Sequence, residues 1–256
     1  MKLTILGTGT STPTKKRNSS GYFLKIKKKS VLLDCGSGIT KQMMLAGKKY
    51  WDIDYIFITH LHADHIADLG YLLHGIYIRS DHRGHKRNKK LEIYGPPGFA
   101  KSYQYQRKAI SFPAGKESYE VKIYEIKNKK LNFSSFCIES REVKHAPNLT
   151  CLGYRFKERG GKTLVYGGDT GFCKGIVKLA KNADALILPV SLPEHIKTSY
   201  HLIPSEVGQV TQGAKAKKLY LTHFYPITEK YDVKKIIKKY YKGPTTIAKD
   251  LMEIRI

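Results

Sequence analysis

The sequence predicts an α/β fold of two β-sheets with helices on their outer faces. Short apolar runs of strand character recur from end to end, and helical patterns stand between some of them. The 256 residues can bury a substantial core, and no Pro/Gly/Ser-rich linker divides them. No fixed-period repeat is present. One domain over residues 1–256 is therefore the simpler organisation.

The elements follow in chain order. Residues 3–6 open as a strand, in a segment whose apolar stretch is too short for a signal peptide. Strands over 22–26 and 31–34 flank Lys25-Ile-Lys-Lys-Lys29, which reads as a solvated hairpin turn. A helical pattern covers 39–46, and a buried-type strand covers 55–58. The apolar spacing then predicts a helix over 66–78, a strand over 91–94 and a helix over 98–110. Strands over 119–126, 133–138, 153–156 and 163–166 come next. Helices over 176–181, 204–212 and 233–241 alternate with strands over 185–188 and 218–221. The first half favours hairpins and the second alternates strand and helix.

Charge is a second strong signal. Lysine and arginine number 46 against 21 acidic residues, a net +25. Such an excess favours polyanionic partners through steering and counterion release. A heat-adapted surface would raise glutamate alongside lysine, and acid is not enriched here. The cluster over 79–90, Arg79-Ser-Asp-His-Arg-Gly-His-Lys-Arg-Asn-Lys-Lys90, is either a solvated loop or an arm that steers phosphates toward the site. Cys35, Cys137, Cys151 and Cys173 are dispersed with no C-x-x-C pair, which argues against a disulfide framework and fits a reducing cytoplasm. No apolar run approaches the roughly 20 residues that span a bilayer, so no membrane partner is expected.

The chemistry concentrates in His60-Leu-His-Ala-Asp-His65, where the strand over 55–58 gives way to helix. Ligands gather at the carboxyl ends of strands in α/β proteins. His60 and His62 alternate on extended backbone and point the same way, while Asp64 and His65 lie past the turn and can face a second centre. Four donors are too few for two hydrolytic metals. His145 in Val143-Lys-His-Ala-Pro147, Asp169 in Tyr166-Gly-Gly-Asp-Thr-Gly171 and His223 in Leu219-Tyr-Leu-Thr-His-Phe224 each follow a strand and are the candidates for the rest. Gly7-Thr-Gly-Thr-Ser-Thr-Pro-Thr14 imitates a phosphate loop but lacks the Lys-[Ser/Thr] ending and the third glycine of a dinucleotide fingerprint.

T-H-L-H-A-D-H, a later histidine, G-D-T and L-T-H-F together resemble the metallo-β-lactamase fold. Pro13-Thr-Lys-Lys-Arg-Asn-Ser-Ser20, Leu32-Leu-Asp-Cys-Gly36, Ile93-Tyr-Gly-Pro-Pro97 and Gly153-Tyr-Arg155 resemble its ribonuclease Z branch, which matures tRNA 3′ ends. The resemblance runs from Met1 to about Pro226. It implies a four-layer αββα sandwich, two zinc ions at the sheet edges, a phosphodiester substrate such as RNA, and a homodimer. Manganese or iron would also suit imidazole and carboxylate donors. On the matching positions, the resemblance gives one zinc to His60, His62 and His145, the other to Asp64, His65 and His223, with Asp169 bridging. Asp34 then steadies the ligands from behind. Asp64 and His201 would be the catalytic pair, His201 as general acid for the leaving oxygen. Two metals sharing a water would lower its pKa from about 15.7 toward about 7, and the hydroxide would attack phosphorus in line.

The chain departs from that branch twice. Pro189 stands where the family places a glutamate that orients the acid histidine, and Glu194 and Glu206 are out of register with it. The family's long tRNA-gripping arm has no room, because Gly153-Tyr-Arg-Phe-Lys-Glu-Arg-Gly-Gly-Lys162 runs directly into the strand over 163–166. The expected function is a dinuclear metal-dependent phosphodiesterase, with true tRNA 3′ processing as the narrower alternative. A thioesterase or lactonase of the same fold shares H-x-H-x-D-H and G-D-T but leaves Arg17-Asn-Ser-Ser20 and His201 without purpose. A purely nucleic-acid-binding module explains the charge and leaves seven donors idle.

Overall fold

The structure, a computed structural model, describes residues 1–82, 87–110 and 119–256. Its strands are β1 (Lys2–Gly7), β2 (Gly21–Ile26), β3 (Lys29–Leu33), β4 (Tyr55–Phe57), β5 (Leu91–Gly95), β6 (Val121–Glu125) and β7 (Lys130–Asn132). They continue with β8 (Phe136–Val143), β9 (Cys151–Glu158), β10 (Thr163–Tyr166), β11 (Ala185–Pro189), β12 (Leu219–Thr222), β13 (Thr245–Ile247) and β14 (Glu253–Arg255). The helices are α1 (Ile39–Leu45), α2 (Ala63–Ile66), α3 (Leu69–His82), α4 (Phe99–Ala109), α5 (Lys174–Ala180), α6 (Pro204–Gly213) and α7 (Val233–Ile237).

Two sheets result, ordered β14-β1-β2-β3-β4-β5-β6 and β13-β12-β11-β10-β9-β8-β7. Each begins in antiparallel hairpins and ends in parallel crossovers: β3 to β6 run parallel in the first, β10 to β13 in the second. The hairpin-to-crossover change thus happens inside each half of the chain, not between the halves.

Strand alternation builds the layers. In β4, Phe57 enters the core between the sheets, while Ile56 turns to the helices α1, α3 and α4. In β10, Leu164 and Tyr166 face the same inter-sheet core and Val165 faces α5 and α6. Aromatic rings fill the middle: Phe57 stacks on Tyr94 with centroids 4.8 Å apart, and Tyr22 meets Tyr166 at 4.6 Å. Helix, sheet, sheet, helix is the αββα sandwich.

Several expectations shift. The helix expected over 66–78 is two helices, because the Asp68 amide donates to the Cys35 carbonyl and its carboxylate accepts from the Thr40 amide at 2.6 Å. The strand expected over 133–138 is a turn, where the Phe133 amide meets the Phe136 carbonyl, followed by the start of β8. The helix expected over 233–241 stops at Ile237. β7, β13 and β14 carry no apolar signal long enough to announce them. The Lys25–Lys29 cluster does form the β2–β3 hairpin, with Lys27 and Lys28 exposed at its tip.

The basic cluster over 79–90 is corrected where it is described. Arg87 is buried, and its guanidinium donates to the carbonyls of Trp51, Ile53 and Lys90. Lys89 pairs with Asp52 and Asp54, and Lys90 with Glu92. These side chains tie down the entries to β4 and β5, the end opposite His60, and none is a free phosphate contact. Arg83 and Lys86 lie outside the described residues. The turn over 159–162 is tight, with the Glu158 amide bonded to the Lys162 carbonyl, so β9 and β10 leave no place for an inserted arm.

Candidate metal centre

Every expected site residue stands at one rim of the sandwich. Asp34 follows β3, His60 follows β4, His145 follows β8, Asp169 follows β10 and His223 follows β12. His62 is still extended, with φ −70° and ψ 150°, and caps α2, so Asp64 and His65 turn back toward the rim. Asp34 and His223 hold left-handed backbone at φ 55° and 57°. Non-glycine residues seldom do so, though Asp and His are among the more tolerant, and such strain concentrates at functional sites.

Two glycines let the loops close on one another. A side chain at Gly36 would stand 2.0 Å from the Asp64 carbonyl oxygen. That space is needed because the Cys35 amide bonds the His65 carbonyl at 2.7 Å, locking the Leu32-Leu-Asp-Cys-Gly36 loop onto the histidine motif. Gly168 has φ 59° and packs against Thr59 and the Leu152 carbonyl, which brings Asp169 in from the other sheet.

The donor atoms converge in two sets. His62 Nδ1 lies 3.0 Å from His60 Nε2 and 3.1 Å from His145 Nε2. His223 Nε2 lies 3.2 Å from Asp64 Oδ2, 3.1 Å from Asp169 Oδ2 and 3.4 Å from His65 Nε2. Asp169 is shared: Oδ1 is 3.6 Å from His65 Nε2, and Oδ2 is 3.6 Å from His145 Nε2. Donors about 2.0–2.2 Å from a tetrahedral zinc stand about 3.3 Å from one another, so these separations fit ions. Convergence of this many imidazole nitrogens and carboxylates, nearly all buried, has no comparable use as a hydrogen-bond network.

The far sides of four of the rings, those of His60, His65, His145 and His223, are anchored. Asp34, fully buried, accepts from His65 Nδ1 at 2.7 Å, from the Thr59 amide and hydroxyl, and from the Tyr166 hydroxyl at 2.7 Å. The Thr59 hydroxyl also reaches His60 Nδ1 at 3.0 Å. His145 Nδ1 donates to the Tyr200 carbonyl at 3.0 Å, and His223 Nδ1 meets the Ser191 hydroxyl at 3.2 Å. These contacts fix the tautomers so that Nε2 faces inward. Thr59, Tyr166, Ser191 and Tyr200 were not among the expected site residues. Only Thr59, inside T-H-L-H, carried a signal that could have found it.

Electrostatics follow from burial and neighbours. Burial opposes charge on Asp169, yet His223 and His65 hold its carboxyl well below the usual range. Burial likewise opposes charge on His65, but Asp169 and Asp34 raise its pKa well above normal. Burial, reinforced by His65, pushes His60 well down, so it stays neutral and keeps its lone pair. The metal-free site is thus a set of interlocked opposite charges around neutral imidazoles.

His201 stands beside this set, its ring centroid 4.8 Å from that of His145. With Ser11, His62, Asp64, Asp169 and Tyr225 it lines a cavity of about 300 Å³. Burial lowers its pKa to about 4, with Asp169 opposing. Its Nδ1 is buried and has no hydrogen-bond partner among the described residues. Neither Glu194 nor Glu206 serves it: Glu194 accepts from the Ser205 amide and Glu206 from the Ile203 amide, both as caps of α6. Arg17 is also structural. Its guanidinium bonds Thr8, the Ala248 carbonyl and Glu229.

Comparison with known proteins agrees with the fold. The model of the beta-lactamase superfamily domain matches residues 29–224. The ribonuclease Z of Archaeoglobus fulgidus is 26% identical, with 100% of this chain and 97% of that one covered. That alignment spans 314 positions against the 256 residues here, so many of them face no residue of this chain. A metallo-β-lactamase fold protein from Bacillus subtilis superposes with a TM-score of 0.82 at 25% identity, covering 99% and 98% of the two chains. The short form of human tRNase Z superposes with 0.81 at 25% identity, covering 100% and 99%.

Proposed function

The chain belongs to the beta-lactamase superfamily, and we propose that within it this protein is a dinuclear phosphodiesterase that cleaves RNA. It is a metal-dependent hydrolase acting on phosphodiester bonds. The observation that carries the dinuclear reading is Asp169, whose Oδ2 lies 3.1 Å from His223 Nε2 and 3.6 Å from His145 Nε2, residues of different donor sets. His60, His62 and His145 would hold one ion, Asp64, His65 and His223 the other, with Asp169 between them. The donor set suits zinc, and manganese or iron are alternatives.

When bound, the ions supply Lewis acidity that acidifies water and draws charge off phosphoryl oxygens. The chain's own residues do the remaining work. Asp34, Thr59, Ser191 and the Tyr200 carbonyl hold the rings in place before substrate arrives, so little reorganisation is needed. The cavity lined by His62, Asp64 and His201 admits a phosphodiester from the open side. His201 holds the proton for the leaving oxygen. Burial lowers its pKa to about 4 in the metal-free protein, and an arriving phosphate anion favours the protonated form.

Metal analysis of chelator-free protein together with hydrolysis of bis(4-nitrophenyl) phosphate and of a thioester tests this reading. Two ions per chain and diester cleavage are expected; thioester cleavage alone would reject it. Cleavage at tRNA 3′ ends is supported by the ribonuclease Z relatives, whereas the tight β9–β10 turn favours a broader RNA substrate. A precursor tRNA with a 3′ trailer, compared with an unstructured RNA of equal length, separates the two. A homodimer would be detected by light scattering, and we infer that the exposed apolar side chains Met44, Leu45 and Tyr71 on α1 and α3 would contribute to its interface.

A further inference from the structure

Two depressions flank the catalytic cavity, and they differ in charge. One runs between α3 and α4 and reaches the cavity at Ala63; Leu61, Ile66, Tyr71 and Ile110 line it, with no lysine or arginine. The other lies between β8 and α5, has a volume of about 770 Å³ and shares the wall of His145 with the cavity. Arg141, Lys144, Lys174 and Lys178 line it, and Tyr200 stands at its edge, 38% exposed.

The cations of this second groove are mostly uncommitted. Lys144, Lys174 and Lys178 are exposed and form no ion pair among the described residues. Arg141 pairs with Glu139, and Glu142, the acid in the groove wall, is already neutralised by Lys127 at 3.0 Å. Tyr200 links groove and centre directly, because its carbonyl holds His145 Nδ1. Free ammonium groups along a groove, with an exposed ring at one end, form the pattern that holds a single nucleic-acid strand by phosphate contact and base stacking.

We propose that the β8–α5 groove is the track along which one strand of RNA leaves the catalytic centre, its phosphates on Lys144, Lys174 and Lys178 and one base on Tyr200. The inference rests on the phosphodiesterase reading. A single strand is required because all the donors but His62 lie at the bottom of the cavity, with Asp169 only 3% exposed, and a base-paired backbone cannot descend to them. An acidic peptide would use the ammonium groups but would leave the ring idle.

Binding of a fluorescent single-stranded 12-mer RNA to metal-free full-length protein, measured against salt, tests the track. Every phosphate the protein no longer neutralises takes about 0.7 off the slope of log affinity on log salt, so changing Lys144, Lys174 and Lys178 together to glutamine should lower the slope by about 2. Lys28, Lys238 and Lys239 are exposed and line neither depression. Changing those three removes the same charge and should leave the slope unchanged. Tyr200→Ala should weaken binding without altering the slope. Equal losses in the two triple variants would overturn the proposal, as would polyglutamate displacing the RNA as efficiently as unlabelled RNA does. Because binding is read without metal, a protein that binds along the groove yet cleaves no diester would reject the hydrolase reading and leave the track standing.

Discussion

The two donor sets that meet at Asp169 are built differently. Asp64, His65, Asp169 and His223 are all buried and include two carboxylates, and Asp34 and Ser191 hold the rings of His65 and His223 from behind. His60, His62 and His145 are three imidazoles, and His62 reaches solvent, with no hydrogen bond from its outer nitrogen among the described residues. A dication gains more from two fixed carboxylates than from neutral rings, and a rigid set loses less freedom on binding. The inner set is therefore expected to hold an ion the more tightly. The outer set is the adjustable one, next to His201 and open to substrate.

Breaking the shared residue should have the largest effect. Asp169→Ala should abolish diester hydrolysis and leave fewer than two ions per chain, read by elemental analysis after desalting. His201→Ala should cost about 10²–10⁴-fold in turnover on RNA or an alkyl diester, and less on a nitrophenyl ester whose leaving group needs no proton. Its metal content should not change; equal losses on both substrates would give His201 another role. Asp34→Asn should weaken the inner ion by about 10–100-fold, because the mutant no longer fixes the His65 tautomer as a carboxylate does, while the outer ion should respond less.

A separate effect, on stability and not on activity, concerns pH. Burial lowers the His201 pKa from 6.5 to about 4, so the unfolded chain takes up its proton first as pH falls. His201 therefore costs no stability above pH 6.5 and withdraws up to roughly 3 kcal/mol between there and pH 4. In metal-free protein, His201→Asn should flatten the stability profile across that window in urea titrations. An unchanged profile would mean that the ring is solvated.

What the sequence revealed divides along the same physical lines. That the seven donors would come together was legible because His60, His145, Asp169 and His223 each follow a strand, and His62, Asp64 and His65 come directly after His60. Their supports were not: a serine at 191, a tyrosine at 166 and a backbone carbonyl at 200 gain meaning only when the sheets face each other. Arg87 misled because a cation in a basic run resembles a surface group, whereas three backbone carbonyls satisfy it inside the fold. The edge strands β7, β13 and β14 are three residues each, with lysine, threonine or alternating charge, and pairing to a neighbour decides them more than propensity does. The helix over 66–78 broke because the Leu32-Leu-Asp-Cys-Gly36 loop captures the Asp68 amide, a contact between residues far apart in the chain.

The difference between the donor sets is tested most directly by titrating metal-free protein with zinc and counting ions bound at equilibrium. Two ions per chain in two separable steps are expected, with Asp64→Asn weakening the tighter step and His62→Ala removing only the weaker one. A single ion at saturation, or loss of the tighter step in His62→Ala, would contradict the account.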